Sequence, residues 1–228
     1  MRSGGDFESQ AGSAATIDEL VLADEPERWA ALGFTVAEGC CRLGTVRLRL
    51  AGRAAGRGVD AGRGIVGWSL RGVSSVELDG LPTSRSDSPV PAAAPVHPNG
   101  VLALDHVVAM SPALDRSVRA LQAAGLDLRR MREQPTPAGA PRQAFFRLGA
   151  QILEVVQEPD DVVERGGGAA RPARLWGLAL AVADLDRTVA ELGPHVGSIR
   201  PAVQPDRRIA TLRRDAGVAI PVALISRL

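Results

Sequence analysis

Two segments of the chain repeat the same local pattern, and this repetition constrains the fold more than any other feature. Arg42-Leu43-Gly44 is followed by an alternating apolar stretch, and so is Arg147-Leu148-Gly149. Matched quartets stand upstream of the two segments, Ile17-Asp18-Glu19-Leu20 and Leu104-Asp105-His106-Val107. Internal similarity of this kind predicts a chain built from copies of one supersecondary unit.

A third copy lies near the C-terminus. Leu175-Trp176-Gly177-Leu178 corresponds to the second quartet, and Leu185-Asp186-Arg187-Thr188-Val189 repeats the pattern of Leu114-Asp115-Arg116-Ser117-Val118. Because the copies can be compared position by position, the positions at which they differ are where we expect chemistry. In this comparison Gly177 occupies the position of His106.

Each copy reads as a βαβββ unit. In the middle copy a strand over 103–109 precedes a helix with Leu114, Val118 and Leu121 on one face, and three further strands follow up to residue 157. The first copy is shorter, and a second unit begun at 65–70 does not complete. The pattern predicts four regions: a disordered tail (1–15), a truncated βαβββ half (16–81), a Pro-rich linker (82–98) and a two-unit domain (99–228).

Composition narrows the class of protein. All 27 basic residues are Arg, they are scattered along the chain, and the net charge is +1, which favours neither a nucleic-acid nor a membrane partner. The N-terminal residues lack the apolar run of a signal peptide. The two cysteines, Cys40 and Cys41, are adjacent and cannot form an ordinary disulfide framework. A cytoplasmic protein is the simplest expectation.

The repeated units resemble the vicinal oxygen chelate superfamily, which includes glyoxalases, bleomycin-resistance proteins and dioxygenases. The resemblance rests on Leu104–Val108, Leu114–Val118, Phe145–Gly149 and Ile152–Val156. It implies an α+β fold in which tandem βαβββ units pair into a cup-shaped mixed sheet with helices on the outside. It also implies a small-molecule ligand in the cup and is compatible with a homodimer.

In that family the first and last strands of each unit supply metal ligands, usually His and Glu. The resemblance assigns these roles to His106 and Glu154, as ligands of a divalent metal and as catalytic residues. The set is incomplete, because unit three has Gly177 and either Val222 or Ala223 at the two positions. Unit one has Glu19 and Arg49 there, and an Arg would repel a cation.

Two interpretations of His106 and Glu154 therefore stay open. They hold a metal in a lyase, isomerase or dioxygenase, or they form a metal-free polar pair that acts as a base or orients a ligand. A non-catalytic drug- or metabolite-binding protein is the alternative function. No nucleotide cofactor is expected, since Gly166-Gly167-Gly168 lacks the context of a phosphate loop.

Five further residues carry expectations. Trp176, Phe146 and Met110 are expected to line the ligand cavity. His97, in the predicted linker, and His195, in a turn, are expected to be solvated.

Overall fold

The computed structural model describes residues 14–55, 64–91, 94–136 and 139–227, so most of the tail predicted over 1–15 lies outside the described residues. The described strands form two mixed sheets, one of six strands and one of eight. Helices are few and short, so the predicted α+β class is confirmed.

The N-terminal sheet has the strand order β2-β3-β4-β1-β5-β6. Its elements, in chain order, are β1 (Thr16–Leu22), α1 (Pro26–Ala31), β2 (Val36–Ala37), β3 (Cys40–Leu43), β4 (Val46–Leu50), β5 (Ile65–Arg71) and β6 (Thr83–Arg85). Strand β1 runs parallel to β4 and antiparallel to β5. Strands β1 to β4 with α1 thus make one whole βαβββ unit.

The C-terminal sheet has the order β12-β13-β14-β11-β7-β10-β9-β8. Its first unit comprises β7 (Val101–Ser111), α2 (Leu114–Ala123), β8 (Asp127–Arg132), β9 (Gln143–Leu148) and β10 (Gln151–Gln157), and α3 (Asp160–Arg165) follows. Its second unit comprises β11 (Arg174–Val182), α4 (Leu185–Leu192), β12 (Arg200–Pro201), β13 (Arg208–Thr211) and β14 (Val222–Ser226). The first strands β7 and β11 pair antiparallel at the centre.

Helices α2 and α4 cover one face of this sheet. Leu114, Val118 and Leu121 of α2 are buried against it, which is the face that their helical spacing predicts. Apolar side chains of the strands alternate onto the same side, as in β10, where Leu153 and Val155 are buried. The opposite, helix-free face is the one that carries the polar residues of the central strands.

The linker expected over 82–98 needs correction, because it contains strand β6. Trp68 N–H donates to the carbonyl of Pro82 at 3.0 Å, and Leu178 N–H donates to the carbonyl of Pro221 at the same distance. Strand β6 therefore stands beside β5 as β14 stands beside β11. The truncated second unit keeps its first and last strands, whereas 76–81 forms no strand.

His97 is buried, contrary to the expectation that it is solvated. Its Nδ1 accepts a hydrogen bond from the Thr35 N–H at 3.0 Å, and its Nε2 lies 2.8 Å from the Arg42 carbonyl oxygen, to which it donates. Burial lowers the pKa of this imidazole. The end of the linker is therefore fastened to the first unit, while His195 is exposed as expected.

The two halves pack against each other through specific contacts. Asp24, which is buried, accepts from the Trp29 indole N–H at 3.1 Å and from the Ala219 N–H of the C-terminal half at 2.7 Å. Arg116 on α2 pairs with Asp79 at 2.6 Å. Among the described residues, no helix has the length and apolar character needed to cross a membrane.

Candidate functional site

A β-bulge in the central strand brings two adjacent polar residues to one side. Leu104 pairs with Leu180 and His106 pairs with Ala179, so Asp105 is an extra residue without a partner on β11. Neighbouring strand residues normally face opposite sides, and a bulge removes this alternation locally. The side chains of Asp105 and His106 consequently meet, with Asp105 Oδ2 2.8 Å from His106 Nδ1.

The other nitrogen of His106 faces Glu154 on the neighbouring strand β10. His106 Nε2 lies 3.5 Å from Glu154 Oε2, and each side chain is 16% exposed. The parallel register, in which Ile152 pairs with His106 and Glu154 with Val108, sets this approach. Asp105, His106 and Glu154 therefore form a row in which the imidazole lies between two carboxyl groups.

Arg207 closes the row from the other unit. Its Nη2 lies 2.6 Å from Asp105 Oδ1, and its Nε donates to the Ser226 carbonyl at 2.9 Å. The Gln204 side chain accepts from Nη1 at 2.8 Å, which fixes the guanidinium further. Sequence reasoning missed Arg207, since it stands in a polar loop about a hundred residues beyond Asp105 and no motif marks it.

Gln143 on β9 is the second residue that sequence reasoning missed. Its Nε2 donates to Glu154 Oε1, and its own Oε1 is buried without a hydrogen-bond partner among the described residues. The antiparallel register of β9 and β10 places Gln143 opposite Val156, on the same face as Glu154. An amide with one satisfied and one unsatisfied end therefore abuts the carboxyl group.

The pKa values of the two carboxyl groups in the row, Asp105 and Glu154, are shifted in opposite directions. Burial raises the pKa of Glu154, although the charge of His106, the hydrogen bond from Gln143 and the charge of Arg132 partly oppose the shift. Burial would also raise the pKa of Asp105, but hydrogen bonds from His106 and Arg207 outweigh it and lower that pKa. An ionised Asp105 accepts a hydrogen bond from the Nδ1–H, which leaves the lone pair of His106 on Nε2, towards Glu154.

The expectation for Phe146 is wrong, because this ring is fully buried on the helix-covered face opposite Leu153. Its neighbour Phe145 pairs with Glu154 and shares the polar face. Met110 faces the same side of β7 as His106 and is half-buried. Trp176 is the bulge residue of β11, between Leu175 and Gly177, and is 39% exposed.

The ladder between β7 and β11 identifies the counterparts of His106 and Glu154 in the next unit. His106 pairs with Ala179 and Val108 pairs with Gly177, so an approximate twofold axis relates His106 to Gly177. The same symmetry relates Glu154 to Ala223. A Cβ at Gly177 would lie 2.8 Å from the carbonyl oxygen of Pro221, so a histidine cannot occupy this position without a backbone shift.

These contacts test whether the site fits a metal. His106 and Glu154 contribute one donor each, their counterparts Gly177 and Ala223 contribute none, and Asp105 lies on the far side of the imidazole. Within the part of the chain that the structure describes, no three His, Cys, Asp or Glu side chains are grouped to hold a metal ion. Two protein ligands are fewer than the three or four side chains that usually hold a divalent ion, so the residues present do not fit a metal site.

No protein-family model matches the chain, and no curated protein matches it. Among solved structures, a xylose isomerase-like TIM barrel/4-hydroxyphenylpyruvate dioxygenase fusion protein matches with a TM-score of 0.62 and 14% identity. That match covers 100% of this chain and 51% of the fusion protein, so the chain spans about half its length.

Two methylmalonyl-CoA epimerases match a smaller part of the chain. The Mycobacterium tuberculosis enzyme has a TM-score of 0.45 and 19% identity over 57% of this chain and 90% of its own. A Streptomyces coelicolor epimerase in complex with 2-nitronate-propionyl-CoA has a TM-score of 0.43 and 18% identity over 54% of this chain and 95% of its own. With the unit pairing and the full-length match, the chain has the fold of the vicinal oxygen chelate superfamily.

Proposed function

We propose that the helix-free face of the C-terminal sheet binds a small organic molecule and that His106 and Glu154 transfer a proton to or from it. The observation that carries this proposal is the row formed by Asp105, His106 and Glu154, with its contacts of 2.8 and 3.5 Å. A lyase or isomerase acting on a carbonyl compound with an acidic C–H bond is the reaction class that this pair suits.

His106 and Glu154 have different roles in proton transfer because their surroundings differ. Asp105 accepts a hydrogen bond from the Nδ1–H and so orients the imidazole, which leaves His106 Nε2 as the proton acceptor. Glu154, whose pKa is raised by burial, exchanges protons closer to neutrality than an ordinary carboxyl group does. A proton removed from the ligand by one residue can be returned by the other, because both stand on one face.

Gln143 supports both protonation states of Glu154. As oriented, its amide donates to the ionised carboxylate, and its oxygen has no partner in the described part of the chain. If the amide rotated by half a turn, its oxygen would point at Glu154 and could accept a hydrogen bond from the protonated carboxyl group. The side chain thereby stabilises the carboxyl group before and after proton transfer.

The residues across the central ladder from His106 are small. Gly177, Ala179 and Ala223 share the face of His106 and carry no bulk. The partly exposed Trp176, Phe145 and Met110 supply apolar surface around them. A face of this composition, apolar with a few polar groups, is typical of a small-molecule site.

A non-catalytic binding protein is the second candidate. The loss of functional groups at Gly177 and Ala223 favours it, since half of the symmetric site can contribute only shape. Such a protein would be stabilised thermally by its ligand without converting it.

The experiment is proton exchange in D2O, followed by NMR on a panel of aldehydes, ketones and thioesters with an α C–H. We expect the wild-type protein to exchange one compound stereospecifically, and His106→Gln and Glu154→Gln each to slow it by about a hundredfold or more. Arg208→Gln, on the surface, is the matched control. A compound that stabilises the protein without exchange supports the binding protein instead.

Elemental analysis of the same preparations tests the metal-assisted alternative. If His106 and Glu154 transfer the proton themselves, exchange activity survives chelation. One metal ion per chain, lost together with activity in His106→Gln and Glu154→Gln, would overturn the proton-transfer proposal in favour of His106 and Glu154 as metal ligands.

A further inference from the structure

The N-terminal sheet carries a second groove on a face that the site above does not use. It has a volume of about 760 Å³, and its lining includes Glu19, Arg49, Ser84, Val21 and Val66. This volume lies within the range of about 300–1,000 Å³ that is common for small-molecule sites. Polar and apolar side chains meet in it, as they do in the C-terminal sheet.

The registers of the two sheets show that this groove is the counterpart of the site containing His106. Asp18 is a bulge residue of β1, between the pairs Ile17–Leu70 and Glu19–Ser69, as Asp105 is in β7. Glu19 therefore stands where His106 stands.

The last strand of the unit completes the correspondence. Glu19 pairs with Arg47 two positions before Arg49, just as His106 pairs with Ile152 two positions before Glu154. Arg49 therefore stands where Glu154 stands. The two sites share one position in the fold and differ in the charges they present.

The charged side chains that line the groove are Glu19 and Arg49, and further ion pairs of the same sheet stand beside it. The nearly buried Asp18 accepts hydrogen bonds from Arg47 and Arg71, and Glu19 pairs with Arg49 at 3.0 Å. Within the lining of the groove, one guanidinium thus faces one carboxylate. Arg47 Nε is buried without a hydrogen-bond partner among the described residues, Glu19 Oε2 being 3.7 Å away.

Arg49 is the group best placed to receive a ligand. Its Nε is held by Glu19, its side chain is 53% exposed, and within the described residues its terminal amino groups have no acceptor. A guanidinium in this state can bind a carboxylate with two parallel hydrogen bonds. Valines 21 and 66 offer apolar contact beside it.

We propose that this groove is a second binding site, for a small organic monoanion with a carboxylate end and an apolar body. The carboxylate binds the terminal amino groups of Arg49, and the apolar body lies against Val21 and Val66. The site binds without proton transfer, because a guanidinium stays protonated and cannot replace Glu154 as an acid or base. This inference is independent of the function proposed for His106 and Glu154.

The probe pair is hexanoate and its neutral isostere hexanamide, titrated while the backbone amide signals of Gly67 and Ser84 are followed by ¹H–¹⁵N NMR. Both residues line the groove. We expect hexanoate to shift these signals saturably and hexanamide to bind at least about tenfold more weakly. Arg49→Gln should weaken hexanoate binding at least about tenfold, Arg49→Lys less, and Arg208→Gln should not change it.

The remaining outcomes overturn the proposal. They are equal binding of the acid and the amide, a hexanoate response that Arg49→Gln retains, and no response of Gly67 and Ser84 up to tens of millimolar hexanoate. The spectrum of Arg49→Gln away from the groove reports whether the variant is folded, and Arg49→Lys gives an independent reading if it is not.

Discussion

Asp105 Oδ2 lies 2.8 Å from Nδ1 of His106, its neighbour in the chain, although adjacent residues of a strand normally face opposite sides of a sheet. The bulge that makes this contact also fixes the imidazole between Asp105 and Glu154. Arg207, from the other unit, holds Asp105 in place at 2.6 Å. The candidate site thus depends on both units of the C-terminal sheet.

Replacing Asp105 should change the proton distribution on the His106 ring. In the wild-type protein the proton of the neutral ring sits on Nδ1, because an ionised Asp105 can only accept. In Asp105→Asn the new amide can donate to Nδ1, so we expect the Nε2–H tautomer to increase. The ¹⁵N shifts of the ring, measured where it is neutral, check this result. Asp127→Asn, on the surface, should leave them unchanged.

Replacing Glu154 should stabilise the protein at neutral pH. Burial raises its pKa in the folded state, so stability is fully present below the ordinary value and falls as pH rises through the folded value. Glu154→Gln removes this penalty, and we expect a Tm a few degrees higher at pH 7, with about 2–4 °C for each kcal/mol. The gain should vanish below pH 4. Glu164→Gln, exposed on α3, is the control, and a lower Tm for Glu154→Gln at pH 7 would contradict the assignment.

The Gly177 position should reject any side chain. A Cβ there would lie 2.8 Å from the Pro221 carbonyl oxygen, which is fixed by the Leu178 N–H. We expect Gly177→Ala to lower the free energy of unfolding by about 1–3 kcal/mol in urea titrations. In the matched control Gly197→Ala, the added Cβ would lie 3.5 Å from the Thr211 carbonyl, an ordinary contact, and a cost as large as that of Gly177→Ala would refute the explanation.

His97 should make stability depend on pH in the weakly acidic range. Its folded pKa is lowered from the ordinary 6.5 because the ring is buried, and a protonated ring could not accept from the Thr35 N–H. The contribution is present above pH 6.5 and is lost as pH falls through the folded value. Comparing denaturant midpoints at pH 7.5 and 5 should show a smaller decrease in His97→Gln than in the wild type, and an unchanged decrease in His195→Gln.

The repeat predicted the correspondences between units better than it predicted side-chain orientation. The ladder registers confirm that Gly177 matches His106 and that Arg49 matches Glu154, because aligned repeats preserve the register. The sequence could not show which of Phe145 and Phe146 faces the polar side of β9. Two adjacent aromatic residues fit the alternating pattern of a strand in either orientation.

Other features depended on contacts that are remote in the chain. The bulge at Asp105 becomes evident only when β11 is beside it, and Arg207 reaches Asp105 from the other unit. Strand β6 forms by pairing with β5, which is distant in the chain. The Pro and Ser content of its own segment is typical of a linker and does not predict a strand.

The most direct test of the proton-transfer pair is a pH titration of the Glu154 carboxyl carbon by ¹³C NMR, in the wild-type protein and in His106→Gln. We predict a wild-type midpoint above the ordinary 4.5, and a higher one in His106→Gln, because the variant loses the charge that partly opposes the effect of burial. A wild-type midpoint at or below 4.5, or one that His106→Gln leaves unchanged, would contradict this prediction.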